Sequence, residues 1–166
     1  QRPGVCNALE TLLIHRIIYE VVGHEIISTL IENQVQLFVD KYILNDFPSL
    51  QEVSQDHFET EFHDLKLAIG IVDTLDEAIN HVQKYSSGHT EGILTESTDV
   101  SSKFSSSIDS SVIFINTSTR FTDGEMFGFG AEVGISTQKL HVRGPMGLEA
   151  LTTERYVIET EGIIRE

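Results

Sequence analysis

One cysteine, three prolines and eleven basic residues are all that this chain of 166 residues holds of three residue types that often decide a protein's class. A single cysteine cannot close an internal disulfide, and the first residues combine no basic segment, apolar stretch and small-residue cleavage site. A cytoplasmic protein is therefore expected. Asn116-Thr117-Ser118 fits the glycosylation pattern in form, but without a secretory signal it reads as a chance match. No apolar run is long enough to span a membrane. Eleven Lys and Arg stand against 26 Asp and Glu, a formal net charge of −15. Such a surface repels nucleic-acid phosphates and anionic lipid, so neither is an expected partner. An anion site here has to be built locally from a few cations and backbone N–H groups, which draws attention to Arg120 and Arg143. Internal repeats and low-complexity tracts are also lacking. The chain does not begin with Met and its first residues read as the middle of something, so a fragment is expected.

What is present is an ordinary globular composition, 40% hydrophobic and 22% charged, in a length suited to one domain. TLLIHRII (residues 11–18) is apolar and branched, and a strand is expected near Leu12 to His15. Tyr19 to Asn33 places Val22, Ile26, Ile27, Leu30 and Ile31 at helical spacing. Gln36 to Val39 reads as a short strand, Asn45 to Glu52 as a turn leading into a loop or short helix, and Leu65 to Val72 as a strand covered on both faces. Thr74 and Asp76 suit the start of a helix whose stripe is Leu75, Ala78, Ile79, Val82 and Tyr85, with Gly88 just past its end. Gly92 to Thr95 is a further strand, Val100 to Ser107 a polar amphipathic helix and Val112 to Asn116 another strand. Strand and helix alternate, which predicts an α/β layer structure with a largely parallel sheet. After Asn116 comes a long irregular stretch rich in glycine and arginine, of the kind that carries function. Glu154 to Ile164 reads as one or two strands, ERYVIET and GIIR, expected to pair with another subunit or another part of the chain.

Several motifs are weighed and set aside. Gly128-Phe-Gly130-Ala-Glu-Val-Gly134 has the wrong spacing and context for a dinucleotide loop. Asp56, His57, Glu59, Glu61, His63 and Asp64 match no standard ligand pattern and read mostly as a solvated acidic segment. Of the scattered histidines, His89 in SSGHTEG is the best placed to line a site. Cys6 has two readings. Free cysteine is usually a buried small hydrophobe. Yet Cys6 follows a Pro3-Gly4 turn and precedes the helix-compatible NALETL, and a thiol at a helix N-terminus is favoured as the reactive thiolate.

Three segments, RPGVCNALETLLIH, LDEAINHVQKYSSGHTEGILTES and FINTSTRFTDGEMFGFGAEVGISTQKLHVRGPMGLEALTT, resemble the γ-glutamyl phosphate reductases, also called glutamate-5-semialdehyde dehydrogenases, nearly end to end. The family lies in the aldehyde dehydrogenase superfamily and makes glutamate-5-semialdehyde for proline biosynthesis, using NADPH. The resemblance implies an aldehyde dehydrogenase-like catalytic domain, a largely parallel sheet with flanking helices, and C-terminal oligomerisation strands that make a homo-oligomer. Residues 1–116 would form the catalytic α/β domain, 117–150 the substrate and active-site loop region, and 151–166 the C-terminal strand segment.

Carried onto this chain, the resemblance makes Cys6 the nucleophile that forms a thioester with the glutamyl group of γ-glutamyl phosphate. Ser118, Thr119 and Arg120 would bind the substrate's α-carboxylate, with a loop clasp from Arg120 to Asp123 or Glu125 as the plain alternative. Glu61 would hold the nicotinamide ribose, although the family superfold's Phe-Gly-Pro after it is here Phe62-His63-Asp64. Phe127 and Phe129 resemble an aromatic loop near the active site, which would put Phe127 at the cofactor, with plain packing as the alternative. The dinucleotide-binding domain and the asparagine of the oxyanion hole lie upstream in the family, so the chain alone is not expected to turn over. No metal site is expected. The competing reading is a non-catalytic oligomerisation or interaction domain in which Cys6 is buried and structural.

Overall fold

The computed structural model describes residues 2–136 and 138–165. Its first half is a four-stranded sheet built of β1 (Thr11–His15), β2 (Gln36–Val39), β3 (Gln51–Glu52) and β4 (Lys66–Val72), in the order β1-β4-β2-β3. All three ladders are parallel, with Leu12 opposite Ile69 and Phe38 opposite Ala68. β4 lies between two neighbours and its Leu67, Ala68 and Ile69 are buried, which is why its sequence is continuously apolar instead of alternating.

Between β1 and β2 runs α1, made of Arg16–Ile18, a π turn at Tyr19–Gly23 and His24–Glu32. It starts three residues before the expected Tyr19, because the apolar run TLLIHRII changes from strand to helix at His15, whose ring accepts the Ile17 N–H at 3.2 Å. The π turn depends on Gly23. A Cβ there would lie 2.3 Å from the ring of Tyr19, and that ring is buried with its hydroxyl donating to Asp46 at 2.9 Å. Ile27, Val39, Ile43 and Ile69 are fully enclosed between α1, the sheet and α2 (Lys41–Leu44), forming the main core. Asp40 starts α2 by accepting the Tyr42 N–H at 2.7 Å. After β3 comes α3 (Gln55–Glu59), capped by Ser54 and His57.

The second layer alternates α4 (Leu75–Tyr85), β5 (Thr90–Ile93), α5 (Thr98–Ser107) and β6 (Val112–Ile115). Thr74 caps α4 by accepting the Glu77 N–H at 3.1 Å, as its sequence predicted. Ile79, Phe104 and Ile108 form a second, smaller core, and Phe58 of α3 packs against His81 and Tyr85 of α4. β5 and β6 are parallel, but they form a two-stranded sheet of their own. The single largely parallel sheet expected from the alternation is thus two sheets, since among the described residues the four-residue β5 has only β6 as a ladder partner.

Residues 117–150 are mostly irregular, with a 3-10 turn at Thr119–Phe121 and an antiparallel pair, β7 (Val133–Ile135) with β8 (Gly144–Met146). These two strands were not foreseen, since three-residue segments broken by Gly and Pro carry no alternation. Residues 152–165 pair with no strand among the described residues and expose Tyr156, Val157, Ile158, Ile163 and Ile164. Among the described residues no helix is long and apolar enough to cross a membrane.

Candidate functional site

The loop before β1 turns twice, with the Val5 N–H on Arg2 O at 3.4 Å and the Ala8 N–H on Val5 O at 3.0 Å. No helix follows Cys6; NALETL leads directly into β1. The expected helix N-terminus behind the thiol is therefore absent, because Leu12 and Ile14 are drawn into the sheet beside β4. Cys6 itself is exposed, which removes the reading of a buried structural cysteine.

Asn7, next along the chain, is buried and fixes this loop. Its side-chain amide donates to Thr122 O at 2.6 Å, its backbone oxygen accepts from the Thr119 hydroxyl at 2.8 Å, and its Oδ1 accepts from Arg120 Nη1. Three contacts across more than a hundred residues place Cys6 beside the 118–122 turn. Ser118 starts that turn by accepting the Arg120 N–H at 3.2 Å. Arg120 bonds neither Asp123 nor Glu125; Asp123 instead accepts the N–H groups of Glu125 and Met126 at 2.8 and 3.2 Å. Ser118, Arg120, Phe121 and Met126 line a cavity of about 320 Å³, and Arg120 Nε is buried with no partner. Two of the three expected substrate residues thus face one cavity, while Thr119 holds the loop together. Arg143 is used structurally, bonding Asp109 Oδ1 at 2.6 Å and Asp109 O at 2.9 Å.

His89, at the start of β5, reaches the same region. Its ring is buried; Nδ1 meets Thr90 Oγ1 at 2.7 Å, and Thr90 Oγ1 meets the enclosed Thr122 Oγ1 at 3.0 Å. That chain of hydroxyls fixes the ring's orientation and leaves Nε2 with no partner. β7 crosses close by at Gly134, where a Cβ would lie 3.0 Å from His89 Nε2, so any larger residue there would press on the ring. Just before it, Glu132 accepts the Gly124 N–H at 3.0 Å. The Cys6 sulfur, a His89 ring nitrogen and a Glu132 carboxylate oxygen all lie within 4.8 Å of one another.

Burial, and next the Glu132 charge, push the Cys6 thiol up from its ordinary value, opposed by its own backbone hydrogen bond and by Arg120. Burial pushes His89 down against the charges of Glu132 and Glu61. Both shifts favour the uncharged forms, thiol and neutral imidazole.

Glu61 lies on the edge of this site, exposed, paired with His63 Nε2 at 3.4 Å, and near enough that its charge bears on both Cys6 and His89. Its segment is tied to the Cys6 loop by the Phe62 N–H on Glu10 Oε1 at 2.9 Å, and Phe62 stacks on Phe38. Phe127 is half-exposed and meets Phe129 edge-on at 6.1 Å between ring centres; Met126, its neighbour, faces the cavity. Asn7 and Glu132 were missed in the sequence. Neither sits in a local motif, and both gain their place from contacts made far along the chain.

No family model matches the chain. It is 51% identical over 165 residues to the gamma-glutamyl phosphate reductase of Bacillus mycoides, covering 99% of this chain and 40% of that protein. The Bacillus cereus (strain B4264) protein of the same name is 50% identical over 166 residues, again with 40% of its length covered. Among solved structures, the gamma-glutamyl phosphate reductase of Thermotoga maritima superposes with a TM-score of 0.89 at 46% identity, over all of this chain and 40% of that one. An acetylating aldehyde dehydrogenase from Geobacillus thermoglucosidasius shares the fold at 16% identity and a TM-score of 0.60. The chain spans about two fifths of the length of the relatives it matches. In sequence and fold, then, all of it is similar to one stretch, 40% in length, of the gamma-glutamyl phosphate reductases.

Proposed function

We propose that this chain is the catalytic portion of an NADPH-dependent γ-glutamyl phosphate reductase, the oxidoreductase that makes glutamate-5-semialdehyde and phosphate in proline biosynthesis, with Cys6 as its nucleophile. One observation carries the reading: Asn7 ties the loop of the exposed Cys6 thiol to the turn of Arg120 and its cavity, and the sulfur lies within 4.8 Å of a His89 ring nitrogen. A cytoplasmic location and the division into 1–116, 117–150 and 151–166 go with it.

The substrate's α-carboxylate is held by Arg120 with Ser118 and the N–H groups of the 118–120 turn, since a guanidinium fork matches a carboxylate in geometry and charge. An acidic chain needs such a local anion site. The Cys6 thiol passes its proton to His89 Nε2, and the sulfur attacks the acyl carbon. The C–O bond to phosphate breaks, phosphate leaves, and the glutamyl group remains on Cys6 as a thioester. A nicotinamide, when bound, would supply the hydride that reduces this group to the aldehyde. As the C–S bond breaks, the sulfur recovers its proton from His89 and the site is restored. Glu61 fits a nicotinamide ribose, because an exposed carboxylate near enough for its charge to bear on the thiol offers acceptors for two hydroxyls. Phe127, half-exposed at the loop's tip, supplies an apolar wall to the cofactor.

The test is made in a reductase that contains this chain. Cys6→Ala is expected to lower turnover by on the order of 10³-fold or more, and mass spectrometry of the unaltered enzyme given γ-glutamyl phosphate without cofactor is expected to show a glutamyl adduct on Cys6. Full activity in Cys6→Ala, or no adduct, overturns the reading. Homo-oligomerisation is proposed through residues 152–165, whose exposed apolar side chains suit strand addition to a second copy. A monomer in sedimentation of that same reductase rules it out.

A further inference from the structure

We propose that Cys6, His89 and Glu132 form a site for a thiophilic divalent cation, zinc above all, and that such a cation blocks the thiol reversibly. Three side chains of the types zinc prefers present sulfur, nitrogen and oxygen within 4.8 Å of one another. They come from three separate places: the loop before β1, the start of β5 and the residue before β7. The donor that points to a ligand is His89. Its residue is 6% exposed, its Nε2 has no hydrogen-bond partner, and the backbone of Gly134, which carries no side chain, lies against that atom.

The surroundings resemble those of a bound imidazole elsewhere. Metal-ligating histidines usually engage their second ring nitrogen in a hydrogen bond that fixes the ring. Here Nδ1 is engaged by Thr90 Oγ1, itself held by Thr122 Oγ1. Glu132 is likewise anchored at one oxygen by the Gly124 N–H at 3.0 Å, with the other left for a cation. Bonds of about 2.0–2.3 Å to zinc place tetrahedral ligands about 3.3–3.8 Å apart, so from separations of at most 4.8 Å the three groups need close by no more than about 1–1.5 Å. Cys6 and Glu132 are both exposed, which gives an ion a path in and leaves the fourth position to water. On binding, the thiol gives up its proton to solvent and the sulfur becomes a metal ligand, unable to attack a carbonyl. A hard cation such as magnesium is not expected to compete, since it takes oxygen ligands in an octahedron.

The experiment reads the thiol and not turnover, so it stands apart from the reductase reading. The chain is treated with iodoacetamide with and without one equivalent of zinc chloride, and cobalt(II) is titrated separately while the sulfur-to-cobalt charge-transfer absorbance is followed. Zinc is expected to slow Cys6 alkylation by about tenfold or more, magnesium to leave it unchanged, and cobalt to give the absorbance at one equivalent. His89→Ala and Glu132→Gln are each expected to weaken zinc protection by about tenfold, in keeping with losses of 10–100-fold even for groups behind the ligands. Glu132→Gln keeps the shape of the side chain and so answers even where His89→Ala fails to fold. Undiminished alkylation with zinc overturns the proposal, as does protection equally strong in Glu132→Gln. Loss of the reductase activity by itself does not bear on it.

Discussion

The four-stranded sheet with α1 and the layer around Cys6 are held together in different ways. In the first, Ile27, Val39, Ile43 and Ile69 are enclosed by other side chains at no exposure. In the second, the key links are hydrogen bonds between residues far apart in sequence: Asn7 to Thr122, Thr119 to Asn7 and Arg120 to Asn7. Apolar burial is non-directional and scales with area, so a core tolerates some choice of side chain. A hydrogen bond of fixed length and angle does not. The sheet thus supplies stability, while the loop layer supplies position.

The largest effect separating them is expected from Ile69→Ala, which empties a fully enclosed place and costs about 2–5 kcal/mol, read as a lower midpoint in urea. Alkylation of Cys6 in the folded variant is expected to stay as it was; a changed rate would show that the two regions are not independent. Asn7→Ala reverses the pattern. Leaving buried partners unpaired costs about 1–3 kcal/mol, yet this variant is expected to alter the Cys6 alkylation rate far more than Ile69→Ala does. An unaltered rate would mean that the 118–122 turn does not position the thiol.

A smaller effect is expected from Glu91 on β5, whose carboxylate accepts from Ser86 and Ser110. Burial raises its pKa above the ordinary glutamate value, outweighing those two hydrogen bonds. The stability from this group is therefore full below the unfolded value and is lost as pH rises through the folded one. Glu91→Gln is expected to remove that decline, seen as a flatter curve of urea midpoint against pH above about 4.3; an unchanged curve sinks the assignment. The smallest effect belongs to Arg16→Ala at the rim of the sheet. Arg16 meets both Asp73 oxygens, at 2.5 and 2.8 Å, but in solvent. The change in midpoint should be slight and should vanish in high salt.

Much of the fold outside the site was legible in the residues. Thr74 and the stripe from Leu75 to Val82 mark α4, and LKLAIGIV marks a strand covered on both sides. The start of α1 was not, since Arg16 to Ile18 continue an apolar run in which strand and helix look alike. Nor were β7 and β8, which exist only by pairing with each other. At the site, Cys6, Arg120 and His89 stand out by residue type, and similarity to a family points to the first two. The helix imagined after Cys6 failed because the neighbouring β4 recruits those residues as a strand.

The sequence by itself determined the alternation of strand and helix, the acidic surface that forces any anion site to be local, and the identity of the only thiol. Those are properties of composition and short-range period, and they need no knowledge of distant contacts. Only the tertiary structure decided that Asn7 would bind the 118–122 turn, that Glu132 and His89 would meet at Cys6, and that the thiol's pKa would be pushed up rather than down. The reason is physical: a hydrogen bond across more than a hundred residues, or a pKa moved by burial and a neighbour's charge, depends on a separation in space that no local pattern encodes.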